Sequence, residues 1–141
     1  MSTRHLLRVI VVQTLYQWLF NNKEGDIKKI FEENLKEFGF DIKEPSFGYR
    51  ILEGILNNWQ EIEERILKYA EKKWSKNDMP LINLCILILG IYELLFQDPK
   101  EVPPKVAISE ALEIANFFSN LEAVEFINGI LASVYKEKYS E

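Results

Sequence analysis

The stretch LINLCILILGIYELLF, Leu81 to Phe96, decides the fold. Its apolar residues fall on nearly every side of a helix rather than on one stripe, so other elements must cover it all round. The run is shorter than the ~20 apolar residues that cross a bilayer, and it carries Asn83 and Glu93. The reading is therefore a buried central helix, opened by Met79-Pro80, with Leu84, Leu87 and Ile91 among its most buried side chains. The single Cys85 lies inside it. No intrachain disulfide can form, and a thiol among Leu84, Ile86 and Leu87 is desolvated and kept neutral, which makes it a core residue rather than a nucleophile.

Outward from this segment, apolar residues recur at three- to four-residue spacing almost everywhere, and long apolar/polar alternation does not occur. The chain is predicted to be all-α, with about seven helices. Ser2 or Thr3 caps a first helix from about Thr3 to Phe20. Asp26 caps a second, IKKIFEENLKEF, which Gly39 stops. Ser46 caps a third that runs to about Asn57. WQEIEERILKYAEKKW forms the fourth, with Ile62, Ile66, Leu67 and Ala70 inward. After the central fifth helix, Pro104 fits the first position of a sixth, since it lacks only an N–H that the first turn leaves unpaired anyway. Val106, Ala111, Ala115 and Phe118 face inward there, and the small Ala111 and Ala115 let another helix approach. A seventh runs from about Glu122 to Lys136, where Asn128-Gly129 is expected to permit a similar approach at a cost of ~1 kcal/mol against Ala. No repeat of 20 to 50 residues is present.

At 141 residues and 48% apolar, the chain suits one domain, residues 1–141, with a sizeable core. Charged residues are interspersed, and no low-complexity tract suggests disorder. The N-terminus does not follow a signal-peptide plan, because Gln13, Thr14 and Gln17 interrupt the apolar stretch after Arg4 and Arg8. A cytoplasmic protein with no membrane association is expected. His5 is the only histidine, and no Cys pair, HExxH, Gly-rich phosphate loop or EF-hand pattern accompanies it. No metal, no cofactor and no catalytic residue is predicted. The acidic runs KIFEENLKEF and EIEERI are interleaved with Lys or Arg at helical spacing and read as solvated faces.

One local feature departs from the overall net charge of −5: the first 23 residues contain Arg4, Arg8 and Lys23 and no carboxylate. Arg4 and Arg8 share one face of the first two helical turns, where the helix dipole disfavours cations by roughly 0.3–1 kcal/mol each. Something anionic must compensate. It is either an internal Glu or a phosphate backbone, to which Arg offers planar, bidentate donors. Net acidity does not exclude RNA, because local patches set the attraction.

Four segments now carry a resemblance: RHLLRVIVVQTLYQWLF, LGIYELL, VPPKVAISEALEIANFF and EFINGILASVYKE. Their order and spacing resemble the transcription antitermination factor NusB family over nearly the whole chain. The family pattern near the end reads roughly VP-x-x-V-x-INEAVELAK-x-F, then a loop, then FVNGVLD. The resemblance implies seven helices in two packed subbundles of three to four helices. It also implies a function in binding rather than catalysis. Family members bind boxA-like single-stranded RNA together with a small-subunit ribosomal protein, NusE, and join RNA polymerase in an antitermination complex on ribosomal RNA operons.

By the same resemblance, Arg4, His5 and Arg8 supply phosphate or polar base contacts, and Lys105 adds charge near the start of the sixth helix. Phe126 matches the aromatic that contacts RNA, and Glu122 the acidic contact of the preceding loop. Arg4, Arg8 and Phe126 are then expected to line one face. Tyr92, Glu93 and the connection after them are placed at the ribosomal-protein face. Some family members form homodimers that cover the RNA surface, so self-association stays open.

Three positions depart from the pattern. Ile88 stands where LRIAxYEL commonly has Arg, Ser109 replaces the Asn of INEA, and Ala132 replaces the acidic residue after NGVL. These bear on RNA affinity and partner contacts and leave the apolar periodicity intact. Two alternatives to the antitermination factor follow: a helical protein-interaction scaffold, or an RNA-binding domain like that joined to ribosomal RNA cytosine methyltransferases.

Overall fold

The computed structural model describes residues 2–39, 41–70 and 79–140. Among these residues there are seven helices and no strand: α1 Thr3–Phe20, α2 Ile27–Phe38, α3 Ser46–Asn57, α4 Trp59–Ala70, α5 Leu81–Phe96, α6 Pro104–Phe118 and α7 Leu121–Tyr139. The expected continuation of the fourth helix past Ala70 lies outside the described residues.

The all-round apolar character of α5 is used as the sequence predicts, since every residue from Cys85 to Leu94 is buried. α1, α3, α4, α6 and α7 all pack against it; α1 also packs on α2 and α3, and α7 on α4 and α6. The two subbundles therefore share one helix. Close approach to α5 occurs at Gly90, where an added Cβ would lie 3.0 Å from the Leu131 side chain and 3.4 Å from Ala111. It also occurs at Gly54 of α3, where a Cβ would fall 2.3 Å from the Tyr92 ring.

Local chemistry sets most helix ends. Ser2 Oγ accepts from the His5 amide at 3.1 Å, Asp26 Oδ1 from Lys28 at 3.0 Å and Asn120 Oδ1 from Ala123 at 2.8 Å. Pro104 is the first residue of α6. The third helix differs from expectation: Ser46 is already helical, Pro45 holds the cap position, and the Ser46 amide donates to Glu44 Oε1 instead.

Four side-chain placements are corrected. Leu67 and Val106 are exposed, because the packed stripes are Ile62, Ile66 and Ala70 on α4 and Ala107, Ala111, Ile114 and Ala115 on α6. Each exposed residue lies one position away from its stripe, a rotation of roughly 100°. Leu84 is only partly buried, at the α4 side of α5, whereas Leu87 and Ile91 are fully buried. Asn128 and Gly129 are exposed, and nothing lies within 4 Å of a Cβ built on Gly129, so this pair is not a packing site. No described helix is long and apolar enough to cross a membrane.

Candidate nucleic-acid interface

The two cationic residues of the first helical turns have separate fates. Arg8 is 2% exposed and makes a fork-to-fork pair with Glu93 of α5, Nε to Oε1 at 2.7 Å and Nη2 to Oε2 at 2.9 Å. Its guanidinium also lies 3.8 Å from Glu110 and 5.0 Å above the Phe47 ring. Burial pushes the Glu93 carboxyl above the ordinary glutamate range, and the hydrogen bonds from Arg8 pull against that rise. The anion that compensates Arg8 is thus an internal Glu, and Arg8 presents no donor to a phosphate. Glu93 and Tyr92, expected on a protein-partner face, are buried at 2% and 6% exposure.

Arg4 stays at the surface. Its guanidinium donates to the Glu101 carboxylate at 3.0 Å and to the Glu101 carbonyl at 3.1 Å, and it stacks 4.4 Å above Phe47. His5 is bonded through Nδ1 to Glu110, and its Nε2 lies 4.0 Å from Glu113. His5, Glu110 and Glu113 are also a group whose candidate metal-ligand atoms lie within 4.8 Å of one another. A hydrogen-bonded clasp between α1 and α6 explains the arrangement.

Lys105 and Glu122 are exposed. Phe126 is 7% exposed and belongs to the core. Its ring does not offer an open stacking face, and the expected face of Arg4, Arg8 and Phe126 is reduced to Arg4.

The open aromatics lie elsewhere. Phe117, at 79%, is the most exposed large apolar residue described, and it packs edge-to-face on Phe118 with centroids 4.8 Å apart. It rims a groove of about 540 Å³ between α1 and α6, with His5, Leu6, Val9, Asn116 and Phe118. A second groove, of about 530 Å³, continues along α1 past Gln13, Tyr16 and Gln17 to Asn34 and Phe38 of α2, and Phe118 lines it too. Tyr16 stacks on Phe20 at 6.0 Å with rings 11° from parallel. Asn34 Nδ2 donates to Gln17 Oε1 at 2.7 Å, while Gln13 Oε1 has no hydrogen-bond partner. The result is a strip of rings from α1 and α6, with Tyr16, Phe20 and Phe117 exposed and Phe118 partly covered, beside the exposed Gln17 amide; Asn34 and the Gln13 Oε1 atom are buried. Sequence reasoning missed it, although one signal existed: Phe117 is out of phase with the inward stripe of α6.

This architecture and the order of its segments match a known family. The model of the NusB family matches residues 5–136. The chain belongs to the NusB family. Among relatives, the transcription antitermination protein NusB of Methylacidiphilum infernorum is 38% identical over 141 residues, covering 97% of this chain and 93% of that protein. The NusB of Thermodesulfovibrio yellowstonii is 39% identical over 119 residues, covering 84% of this chain and 76% of the relative. The solved T. maritima NusB superposes with a TM-score of 0.84 at 36% identity, covering 96% and 92% of the two chains. A chain of a crystal structure of antitermination factors NusB and NusE in complex with dsRNA shares the fold, with a TM-score of 0.78 at 23% identity and coverage of 95% and 96%.

Within this chain the three departures from the family pattern sit in different surroundings. Ile88 is buried, at 3% exposure, on the floor of a small apolar dent between α4 and α5, beside Leu67 and Leu84. Ser109 is exposed and Ala132 half-buried.

Proposed function

We propose that the chain is a transcription antitermination factor that binds boxA-like single-stranded RNA together with the small-subunit ribosomal protein NusE and acts on RNA polymerase in ribosomal RNA operons. On this reading its work is binding rather than catalysis, and it is done in the cytoplasm. The observation that carries the RNA assignment is the strip of aromatics on α1 and α6, of which Tyr16, Phe20 and Phe117 are exposed. Unpaired bases stack on rings in a sequence-tolerant way, at about 1–3 kcal/mol per base, and Phe117, Phe118 and Tyr16 offer such rings. On the same reading Arg4 and Lys105 supply phosphate contacts, and His5 and Glu122 supply polar contacts. The names of the relatives and the NusB–NusE–RNA complex among the similar structures support the same assignment.

With Tyr92 and Glu93 buried, the protein-partner face is better sought at the apolar dent of Leu67, Leu84 and Ile88.

The test is a titration of single-stranded boxA-like RNA with and without NusE. Binding should tighten when NusE is present. Phe117→Ala should weaken RNA binding by about 1–3 kcal/mol with little change in salt dependence, because stacking releases no counterions. A wild-type protein that ignores RNA even with NusE would instead be a scaffold. Unchanged affinity in Phe117→Ala would remove the aromatic strip from the RNA path.

A further inference from the structure

Three guanidinium groups surround one buried phenyl ring. Arg4 lies 4.4 Å, Arg8 5.0 Å and Arg50 5.9 Å from the Phe47 centroid. Arg8 is fully engaged by Glu93. The other two are exposed, with side chains 43% and 54% accessible, and they converge on a single carboxylate. Arg4 Nη2 and Arg50 Nη2 both reach Glu101 Oε1, at 3.0 and 2.9 Å, and Arg50 Nη1 lies 3.5 Å from Oε2. Two fixed cations thus share one anion, leaving a residual positive charge.

This geometry is that of an anion receptor with its own chain in the seat. A phosphodiester, like a carboxylate, presents two anionic oxygens to forked guanidinium donors. Phe47 lies within cation–π range of both guanidinium groups, whose side chains remain about half exposed. The Glu101 backbone is held apart from its side chain: Arg4 Nη1 bonds the Glu101 carbonyl at 3.1 Å, and the next residue, Val102, is buried. The carboxylate can therefore swing away while Arg4 keeps its backbone anchor. Exposed pairs of this kind are individually weak, so a polyanion can displace the carboxylate.

Resting on the RNA-binding reading above, we infer that Arg4 and Arg50 form a two-arginine seat for an RNA backbone phosphate, and that Glu101 occupies it in the free protein as an internal competitor. Arg50 and Glu101 are then RNA-affinity determinants outside the aromatic strip. Glu101 lowers affinity for every RNA alike, and the seat reads charge rather than sequence.

The test uses the full chain with NusE and a short single-stranded ribo-oligonucleotide. Glu101→Gln keeps the shape of the side chain and removes its charge. It should tighten binding by about two- to fivefold and steepen the salt dependence by about one phosphate's share. Arg50→Ala should weaken binding and flatten the slope, and in the Arg50→Ala background the gain from Glu101→Gln should shrink. Thermal melts confirm that each variant is folded, and Arg50→Lys, which keeps charge without the fork, should fall between wild type and Arg50→Ala. If wild type binds RNA and Glu101→Gln binds it equally or more weakly, the competitor role is overturned while the RNA reading stands. If neither wild type nor Glu101→Gln binds RNA, both fail together. Binding seen only in Glu101→Gln would be the strongest form of the masking.

Discussion

At the scale of single residues, Arg8 and Glu93 carry the largest predicted penalty. Arg8→Ala strands a carboxylate that is 2% exposed, and breaking a buried pair in this way costs about 3–5 kcal/mol. Urea denaturation should show it, and replacing both partners by Met and Leu should recover most of the loss. The sign of the pH effect follows from the raised Glu93 value. The folded state holds that proton more tightly than the unfolded one, so this share of stability is complete below the ordinary glutamate range and lost as pH rises through the raised value. Arg8→Ala removes the opposing hydrogen bonds and should make the decline steeper, read as denaturation midpoints across pH. Cys85 gives a second residue-level outcome. Burial pushes its thiol up to about 12, so a thiol reagent at neutral pH should label it only as fast as the protein unfolds. The inertness of Cys85 was legible in its apolar neighbours. That Arg8 needs an anion was legible in the helix dipole, but which anion was not, because Glu93 lies 85 residues away.

At the scale of helices, two glycines should respond in opposite ways. A methyl group at Gly54 collides with the Tyr92 ring at 2.3 Å, and that ring is buried and cannot step aside. Gly54→Ala should lose about 1–3 kcal/mol to overpacking. Gly129 has open space around it inside α7, so Gly129→Ala should gain roughly 0.5–1 kcal/mol from backbone entropy alone. Thermal melts of the pair separate the two, and a loss at Gly129 would mean that the exposed Asn128-Gly129 surface is in contact after all. Helix starts were legible because caps act within a few residues, as at Ser2, Asp26 and Pro104. Phase was less so. Leu67, Val106 and Phe126 all satisfy a loose helical spacing, and only the neighbouring helices decide which side of the stripe is covered.

At the scale of the whole molecule, the central helix is what the sequence announces most clearly, and the two subbundles follow from its need for cover on every side. The proposed RNA surface was legible only in part, since Arg4 and Lys105 are surface cations while the aromatic strip depends on how α1, α2 and α6 meet. One further consequence comes from the way α1 begins. Its first turn is capped by Ser2, and its side chains are fastened to three other places: Arg4 holds the α5–α6 loop, His5 clasps α6, and Arg8 is locked to α5. Chain ends ordinarily fray, and their amides exchange hydrogen long before the core opens. Here the amides from Leu7 to Val11 should exchange with solvent deuterium about as slowly as those of α5, so that the start of the chain opens only when the whole fold does. Rapid exchange there, with α5 protected, would show that these ties are not rigid. Slow exchange would mean that RNA meets a surface already in place, with little ordering left to do on arrival.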